Sequence, residues 1–160
     1  MNKIFITTAL IMFLIGQAQA EPGKPLLDKN KFSIGAGGAR NTVDTFFGDI
    51  TESGVQFFAA YDLSRVNLME GVKTSIEVGY LDYGFPRPAE GGLWATGVIN
   101  GAIQNNFGWL ARLGLDFGDD SGLMFGAGLS FGITKRLDLR GEYVIRDEID
   151  SLQLNLIYEL

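Results

Sequence analysis

Residues 108–132, GWLARLGLDFGDDSGLMFGAGLSFG, consist of two alternating runs joined by a turn that is rich in glycine and aspartate. Apolar side chains occupy every second position from Trp109 to Phe117, and again from Leu123 to Phe131. Side chains at every second position lie on the same face of a β-strand. The stretch therefore predicts an antiparallel hairpin of two strands, each about ten residues long.

The same period of two recurs through the rest of the chain. Clear runs begin at Val55, Ile76, Leu137 and Leu152. Residues 32–40 form a glycine-rich run, and residues 93–102 are apolar on both faces, which leaves the register of that strand open. Together with the hairpin, these runs make eight strands that turn residues separate and no linker interrupts. The prediction is a single all-β domain of antiparallel strands.

The first 20 residues have the layout of an export signal. Met1-Asn2-Lys3 is a short basic start, residues 4–15 are apolar, and Ala18-Gln19-Ala20 has the small-x-small pattern of a cleavage site. The apolar run is shorter than the roughly 20 residues that a membrane-spanning helix needs. We therefore predict a signal peptide at residues 1–20, export through the general secretory pathway, and a mature domain at residues 21–160.

The composition of the two strand faces separates a membrane barrel from a soluble one. The polar faces carry charged side chains among many glycines, which suits a narrow lumen of eight strands better than a surface in water. In a membrane barrel the apolar faces point to lipid. The sequence therefore predicts an eight-stranded, antiparallel, up-and-down transmembrane β-barrel. The candidate polar network of its lumen, with a structural role, consists of Glu77, Arg112, Asp116, Arg140 and Glu142.

The residue inventory excludes most common catalytic and metal-binding chemistry. The 160 residues include no Cys and no His, and they carry a formal net charge of −6. Thiol nucleophiles, thiolate metal sites, Ser-His-Asp triads and imidazole proton shuttles are therefore excluded. The acidic balance also disfavours nucleic acid, whose phosphates require a basic surface. We expect no catalytic residue, no cofactor and no metal ion.

The chain resembles the small eight-stranded outer-membrane barrels of Gram-negative bacteria, such as the OmpA-like transmembrane domain and the OmpX-type proteins of the porin family. The most specific stretch is residues 140–160, RGEYVIRDEIDSLQLNLIYEL, which is similar to the last hairpin of those proteins. That hairpin carries the signal read by the barrel-assembly machinery, typically with an aromatic last residue. Here Leu160 is last, and Tyr158 lies two positions earlier. The resemblance implies an outer-membrane location, contacts with membrane lipid and lipopolysaccharide, and a structural or surface-interaction role without catalysis.

One set of connections is acidic and contains the candidate contact residues. The connections after strands one, three, five and seven share one end of such a barrel, and they carry ten Asp and Glu residues against three Arg. The longest are residues 40–53 and residues 82–92, and the second of these contains Tyr83, Phe85 and Arg87 among prolines. Loops on a rigid scaffold often carry function, so we predict that these three side chains contact a surface ligand.

Two other classes of protein fit the alternating pattern. Some eight-stranded barrels modify lipid, and Ser75 or Ser130 beside Glu77 or Glu142 would be the elements of a His-free site for such chemistry. A secreted, lipocalin-like carrier would share the alternation, enclose a lipid cavity and dissolve without detergent.

Overall fold

Eight antiparallel strands close into one barrel in the computed structural model, which describes residues 28–63, 69–86 and 90–160. Each strand pairs with its neighbours in sequence, and the first strand pairs with the last. A 3-10 helix, Lys29–Lys31, precedes the strands. The strands are β1 (Phe32–Val43), β2 (Ile50–Asp62), β3 (Val72–Asp82), β4 (Gly91–Gln104), β5 (Phe107–Asp116), β6 (Gly122–Gly132), β7 (Leu137–Ile145) and β8 (Ile149–Glu159). The predicted eight-stranded, up-and-down barrel is confirmed.

Alternation along each strand sorts side chains between the lumen and the outer surface. On β8 the polar residues Ser151, Gln153 and Asn155 are buried, and the apolar residues Leu152, Leu154 and Leu156 between them are exposed. The barrel therefore has a polar interior and an apolar exterior, the reverse of a barrel that folds in water. This is the orientation that the sequence predicted.

The structure corrects the bounds of the first predicted loop and shows which residues of β4 face the lumen. The predicted first loop, residues 40–53, is mostly strand, because β1 continues to Val43 and β2 starts at Ile50. Backbone pairing runs from Arg40 opposite Ser53 up to Val43 opposite Ile50, so only residues 44–49 remain as the connection. On β4, Trp94, Thr96 and Val98 are buried in the lumen.

The barrel has two different ends. The end at which β1 begins and β8 finishes, which we call the turn end, also joins β2 to β3, β4 to β5 and β6 to β7. The opposite end, which we call the loop end, joins β1 to β2, β3 to β4, β5 to β6 and β7 to β8, and its described connecting residues are 44–49, 83–86, 90, 117–121 and 146–148. Aromatic residues lie near the strand ends, with Tyr61, Trp109, Phe131 and Tyr158 at the turn end and Tyr80 and Phe117 at the loop end. Aromatic girdles of this kind are typical of barrels that cross a bilayer.

Two sequence predictions concern residues outside the ranges that the structure describes. The predicted signal peptide at residues 1–20 lies outside the described residues, and so does Arg87, one of the candidate contact residues. Within the described ranges, no helix is long and apolar enough to cross a membrane.

Candidate functional site

Four charged side chains close a ring across the lumen. Glu77 on β3 pairs with Arg112 on β5, with 3.0 Å between Oε2 and Nη2, and with Arg140 on β7, with 2.7 Å between Oε1 and Nη1. Glu142 pairs with the same two arginines, 2.7 Å from Arg112 Nη2 and 2.5 Å from Arg140 Nε. All four residues are at most 5% exposed. We call them the charge ring.

Glycines on β6 make room for the charge ring. Gly126 lies opposite Arg112, and Gly128 lies opposite Glu142. A Cβ atom at Gly128 would lie only 2.8 Å from Cγ of Glu142. Buried charges carry a large desolvation cost unless opposite charges surround them. The ring meets this condition, because each carboxylate contacts both guanidinium groups and the four charges sum to zero.

Amide side chains of β2 and β8 extend the charge ring. Nε2 of Gln56 donates to Oε1 of Gln153 at 2.8 Å and to Oδ1 of Asn155 at 2.7 Å. Nδ2 of Asn155 in turn donates to Oε1 of Glu142 at 3.2 Å. These three amides have at most 2% of their surface exposed, so they add polar contacts inside the lumen and not at its mouth.

Two aromatic side chains fill the lumen beside the charge ring. The guanidinium of Arg112 lies 5.2 Å from the centroid of the Trp94 ring, and that of Arg140 lies 5.1 Å from the Phe58 ring. The two rings are 5.7 Å apart. Neither aromatic was among the site residues predicted from the sequence. Phe58 was on the same face as Gln56, which was an available signal, whereas Trp94 is in the strand whose register the sequence left open.

Asp116, which the sequence grouped with the charge ring, belongs to a second network nearer the loop end. Its Oδ2 accepts a hydrogen bond from Nε of Arg146 at 2.9 Å, and Arg146 also donates to the Ser151 hydroxyl at 2.6 Å. Ser151 donates to Asn41, and Asn41 donates to the backbone carbonyl of Tyr83 at 2.8 Å. Arg146 was not among the predicted lumen residues, because it was counted with the connection that follows β7. The available signal was that it continues the inward row of Arg140 and Glu142.

Two aspartates tie the connections of the loop end to one another. Asp120 is 4% exposed, and its carboxylate accepts hydrogen bonds from the backbone N–H groups of Glu148 and Ile149, both at 2.9 Å. Asp119 accepts hydrogen bonds from the backbone N–H groups of Glu90 and Gly91, at the start of β4, at 2.8 and 3.2 Å. Burial raises the pKa of Asp120, and its two backbone hydrogen bonds offset only part of that effect. We call residues 83–86, 117–121 and 146–148 the roof.

The candidate contact residue Tyr83 lies inside the barrel, so the expectation of a surface position was wrong. Its side chain is 0% exposed, and the Arg146 guanidinium lies 5.7 Å from its ring centroid. Tyr83 continues the alternation of β3, in which Glu77 and Leu81 also face inward. This burial raises the pKa of the Tyr83 phenol. Phe85, also in the roof, is partly buried and packs against the buried hydrophobic cluster that includes Leu81 and Tyr83.

An aromatic pair that sequence analysis missed stands on the 44–49 connection. Phe46 and Phe47 are each 97% exposed, and their ring centroids lie 5.4 Å apart at 90°. They are the central residues of a turn in which the Gly48 N–H donates to the Thr45 carbonyl at 3.0 Å and the Thr45 hydroxyl donates to the Gly48 carbonyl at 2.5 Å. The available signal was two adjacent phenylalanines in an acidic connection. We call Phe46 and Phe47 the tip pair.

A small polar cavity of about 170 Å³ lies near the turn end. Ser75 and Ser130 line it together with Glu77 and Arg140, so the elements of the His-free site do come close together. However, both carboxylate oxygens of Glu77 accept hydrogen bonds from the two arginines of the charge ring. A carboxylate held in this way is a weak base for a serine hydroxyl.

The fold is that of the small eight-stranded transmembrane barrels. No family model and no curated protein matches the sequence. Among solved structures, Neisserial surface protein A (NspA) is similar with a TM-score of 0.55 and 13% identity, over 81% of this chain and 97% of that one. The attachment invasion locus protein Ail of Yersinia pestis, solved with the heparin analogue sucrose octasulfate, has a TM-score of 0.53 and 17% identity, over 79% and 95%. A de novo designed transmembrane β-barrel has a TM-score of 0.57 and 13% identity, over 82% and 96%.

At these identities the likeness concerns the fold alone. The fold is shared by two natural proteins and by a designed chain, so it does not by itself identify a ligand or an activity. What it defines is the class of protein: an eight-stranded β-barrel of the transmembrane type.

Proposed function

We propose that this chain is an outer-membrane β-barrel with a filled lumen and a structural or surface-interaction role, and that it neither transports solutes nor catalyses a reaction. The charge ring carries the proposal, because four buried charged side chains meet at the centre of the barrel with Phe58 and Trp94 packed against them. An eight-stranded barrel is only wide enough for side chains to fill it.

Three observations support the outer membrane as the location. The apolar side chains face outward, aromatic residues border the strand ends, and the sequence predicts an export signal at residues 1–20. In that membrane the outer face would contact lipid and lipopolysaccharide. The barrel-assembly machinery would insert the chain. We place the loop end outside the cell and the turn end, with both termini, in the periplasm.

The loop end argues against the ligand chemistry seen with Ail. Its exposed acidic residues are Asp44, Asp49, Glu52, Asp82, Glu90, Asp119, Asp147 and Glu148. A sulfated saccharide such as sucrose octasulfate needs cations to bind, and these carboxylates would repel it. We therefore assign the surface-interaction role to a different class of ligand.

Conductance in planar lipid bilayers tests the filled lumen. The purified barrel should give no current steps of the size that a general porin gives under the same conditions, because the charge ring and its aromatic neighbours occupy the lumen. Steps of porin size would contradict the proposal. Detergent-dependent extraction and a shift in gel mobility after boiling would separate this barrel from a lipocalin-like carrier, which needs no detergent.

A further inference from the structure

We propose that the tip pair is the anchor by which this protein docks onto a basic protein partner, whose apolar pocket is bordered by lysine or arginine. The inference rests on the proposed surface-interaction role and names the partner class for it. Phe46 and Phe47 are each 97% exposed, so their rings contact little of this chain besides each other. Two adjacent aromatics at this exposure are a compact apolar surface available for burial in a partner.

The tip pair lies beyond the apolar belt that faces lipid. The outward row of β1 is apolar at Ile34 and Ala36, and it becomes polar at Arg40 and Thr42. The tip pair follows four residues after Thr42, on the far side of this polar boundary. Burial in the lipid of the protein's own bilayer therefore does not explain why the two rings are exposed.

The local backbone holds the tip pair in place before any partner arrives. The two hydrogen bonds between Thr45 and Gly48 close the turn on either side of the rings. Gly48 has φ of 118°, a conformation that residues with a side chain rarely adopt. An anchor that is already ordered loses little conformational entropy on binding, and aromatic side chains have few rotatable bonds to fix.

Charge around the tip pair selects a basic partner. Asp44 and Asp49 flank the turn and are exposed. Glu52, the third residue of β2, is exposed as well. Within the described part of the loop end, the exposed cation is Arg40. An apolar anchor with acidic surroundings is complementary to an apolar pocket with a basic rim. A second membrane is a poorer match, because insertion of the rings would bring the two flanking carboxylates towards its apolar region.

Selection from a random peptide library displayed on phage tests the inference with a defined probe. The barrel would be embedded in nanodiscs of zwitterionic lipid, and empty nanodiscs would remove lipid-binding phage. Enriched peptides should combine lysine or arginine with large apolar residues. Enrichment of acidic peptides, or no enrichment over empty nanodiscs, would overturn the inference.

Matched variants then show whether the enriched peptides use the tip pair. In the double variant Phe46→Ser/Phe47→Ser, affinity for a synthetic enriched peptide should fall at least about tenfold, because two buried aromatic side chains are lost. Asp44→Asn/Asp49→Asn should weaken binding and reduce its dependence on salt. Met69→Ser, which removes an exposed apolar side chain at the turn end, should leave the affinity for the peptide unchanged.

Two outcomes separate a failure here from a failure of the proposed function. If basic peptides bind the Phe46→Ser/Phe47→Ser variant as well as the parent, the tip pair is not the anchor and the inference is overturned, although the barrel still binds a surface ligand. If phosphatidylcholine vesicles bind the parent barrel in nanodiscs and not that variant, the partner is a membrane and the inference is overturned. Conductance of porin size would instead contradict the filled lumen and leave the docking test unaffected.

Discussion

The 44–49 connection and the roof are built from the same residue types at the same end of the barrel, yet they use them in opposite ways. In the roof, Tyr83 turns into the lumen, and the carboxylate of Asp120 accepts hydrogen bonds from the backbone N–H groups of Glu148 and Ile149. In the 44–49 connection, both aromatics point away from the barrel, and the closing hydrogen bonds are local to Thr45 and Gly48. The roof closes the barrel, and the other connection presents a surface.

The difference follows from where each connection stands relative to the lumen. Tyr83 keeps the inward alternation of β3, so its ring has the Arg146 guanidinium to pack against. The tip pair sits above the end of the β1–β2 ladder, whose last paired residues are Val43 and Ile50. We therefore expect substitutions to lower the free energy of unfolding most in the charge ring, less in the roof and least at the tip pair.

The largest effect is expected in the charge ring. Glu77→Ala leaves Arg112 and Arg140 with one carboxylate between them, and removing one partner from a buried ion pair costs about 3–5 kcal/mol. Urea unfolding in detergent micelles would measure the loss. Glu70→Ala, at an exposed position of the turn end, is the matched control and should change stability by less than about 0.5 kcal/mol. Equal effects of the two substitutions would show that the ring does not hold the barrel.

The next effect is expected in the roof. Asp120→Ala removes the acceptor for two backbone N–H groups, and a hydrogen bond to a charged group contributes about 1.5–3 kcal/mol. Unfolding should become easier, and amide hydrogen exchange at residues 146–149 should speed up. Asp147→Ala changes an exposed neighbour and should leave that exchange unaltered. Unchanged exchange in Asp120→Ala would mean that this carboxylate does not secure the roof.

A smaller effect is expected from the protonation of Asp120. Because burial raises its pKa above the ordinary value of 3.8, the folded protein keeps this proton over a pH range in which the unfolded chain has lost it. The group therefore makes the free energy of unfolding fall as pH rises through that range. Asp120→Asn lacks the titration, so its stability should fall less steeply there. Parallel pH profiles for the two proteins would exclude a raised pKa at this site.

The smallest effect on folding is expected at the tip pair. Phe46→Ser/Phe47→Ser removes side chains that are almost fully exposed, so the free energy of unfolding should stay within about 0.5 kcal/mol of the parent value. The same urea titration applies. A loss of more than about 1 kcal/mol would mean that the two rings pack on the barrel and are not free to dock.

The sequence predicts well which face of a strand a residue occupies, but it predicts poorly how far along the barrel axis that residue lies. Alternation alone assigned Glu77, Arg112, Arg140 and Glu142 to the lumen, because a period of two fixes which side of a strand each residue occupies. It could not show that Asp116 lies nearer the loop end with Arg146 as its partner, since the height of a residue along the barrel depends on the stagger between strands. The inward position of Tyr83 was missed for a different reason. The predicted loop starts at residue 82, where β3 does end, but the inward alternation of Glu77 and Leu81 continues one residue beyond the strand.

Cysteine labelling of cells tests the placement of the tip pair most directly, because the natural chain contains no Cys. Phe47→Cys places a single thiol at the tip pair, and Asn106→Cys places one at the turn end. A maleimide reagent too large for general porins should label Phe47→Cys on intact cells, and it should label Asn106→Cys only after lysis. Labelling of Asn106→Cys on intact cells, or protection of Phe47→Cys until lysis, would contradict a barrel that presents the tip pair to the outside.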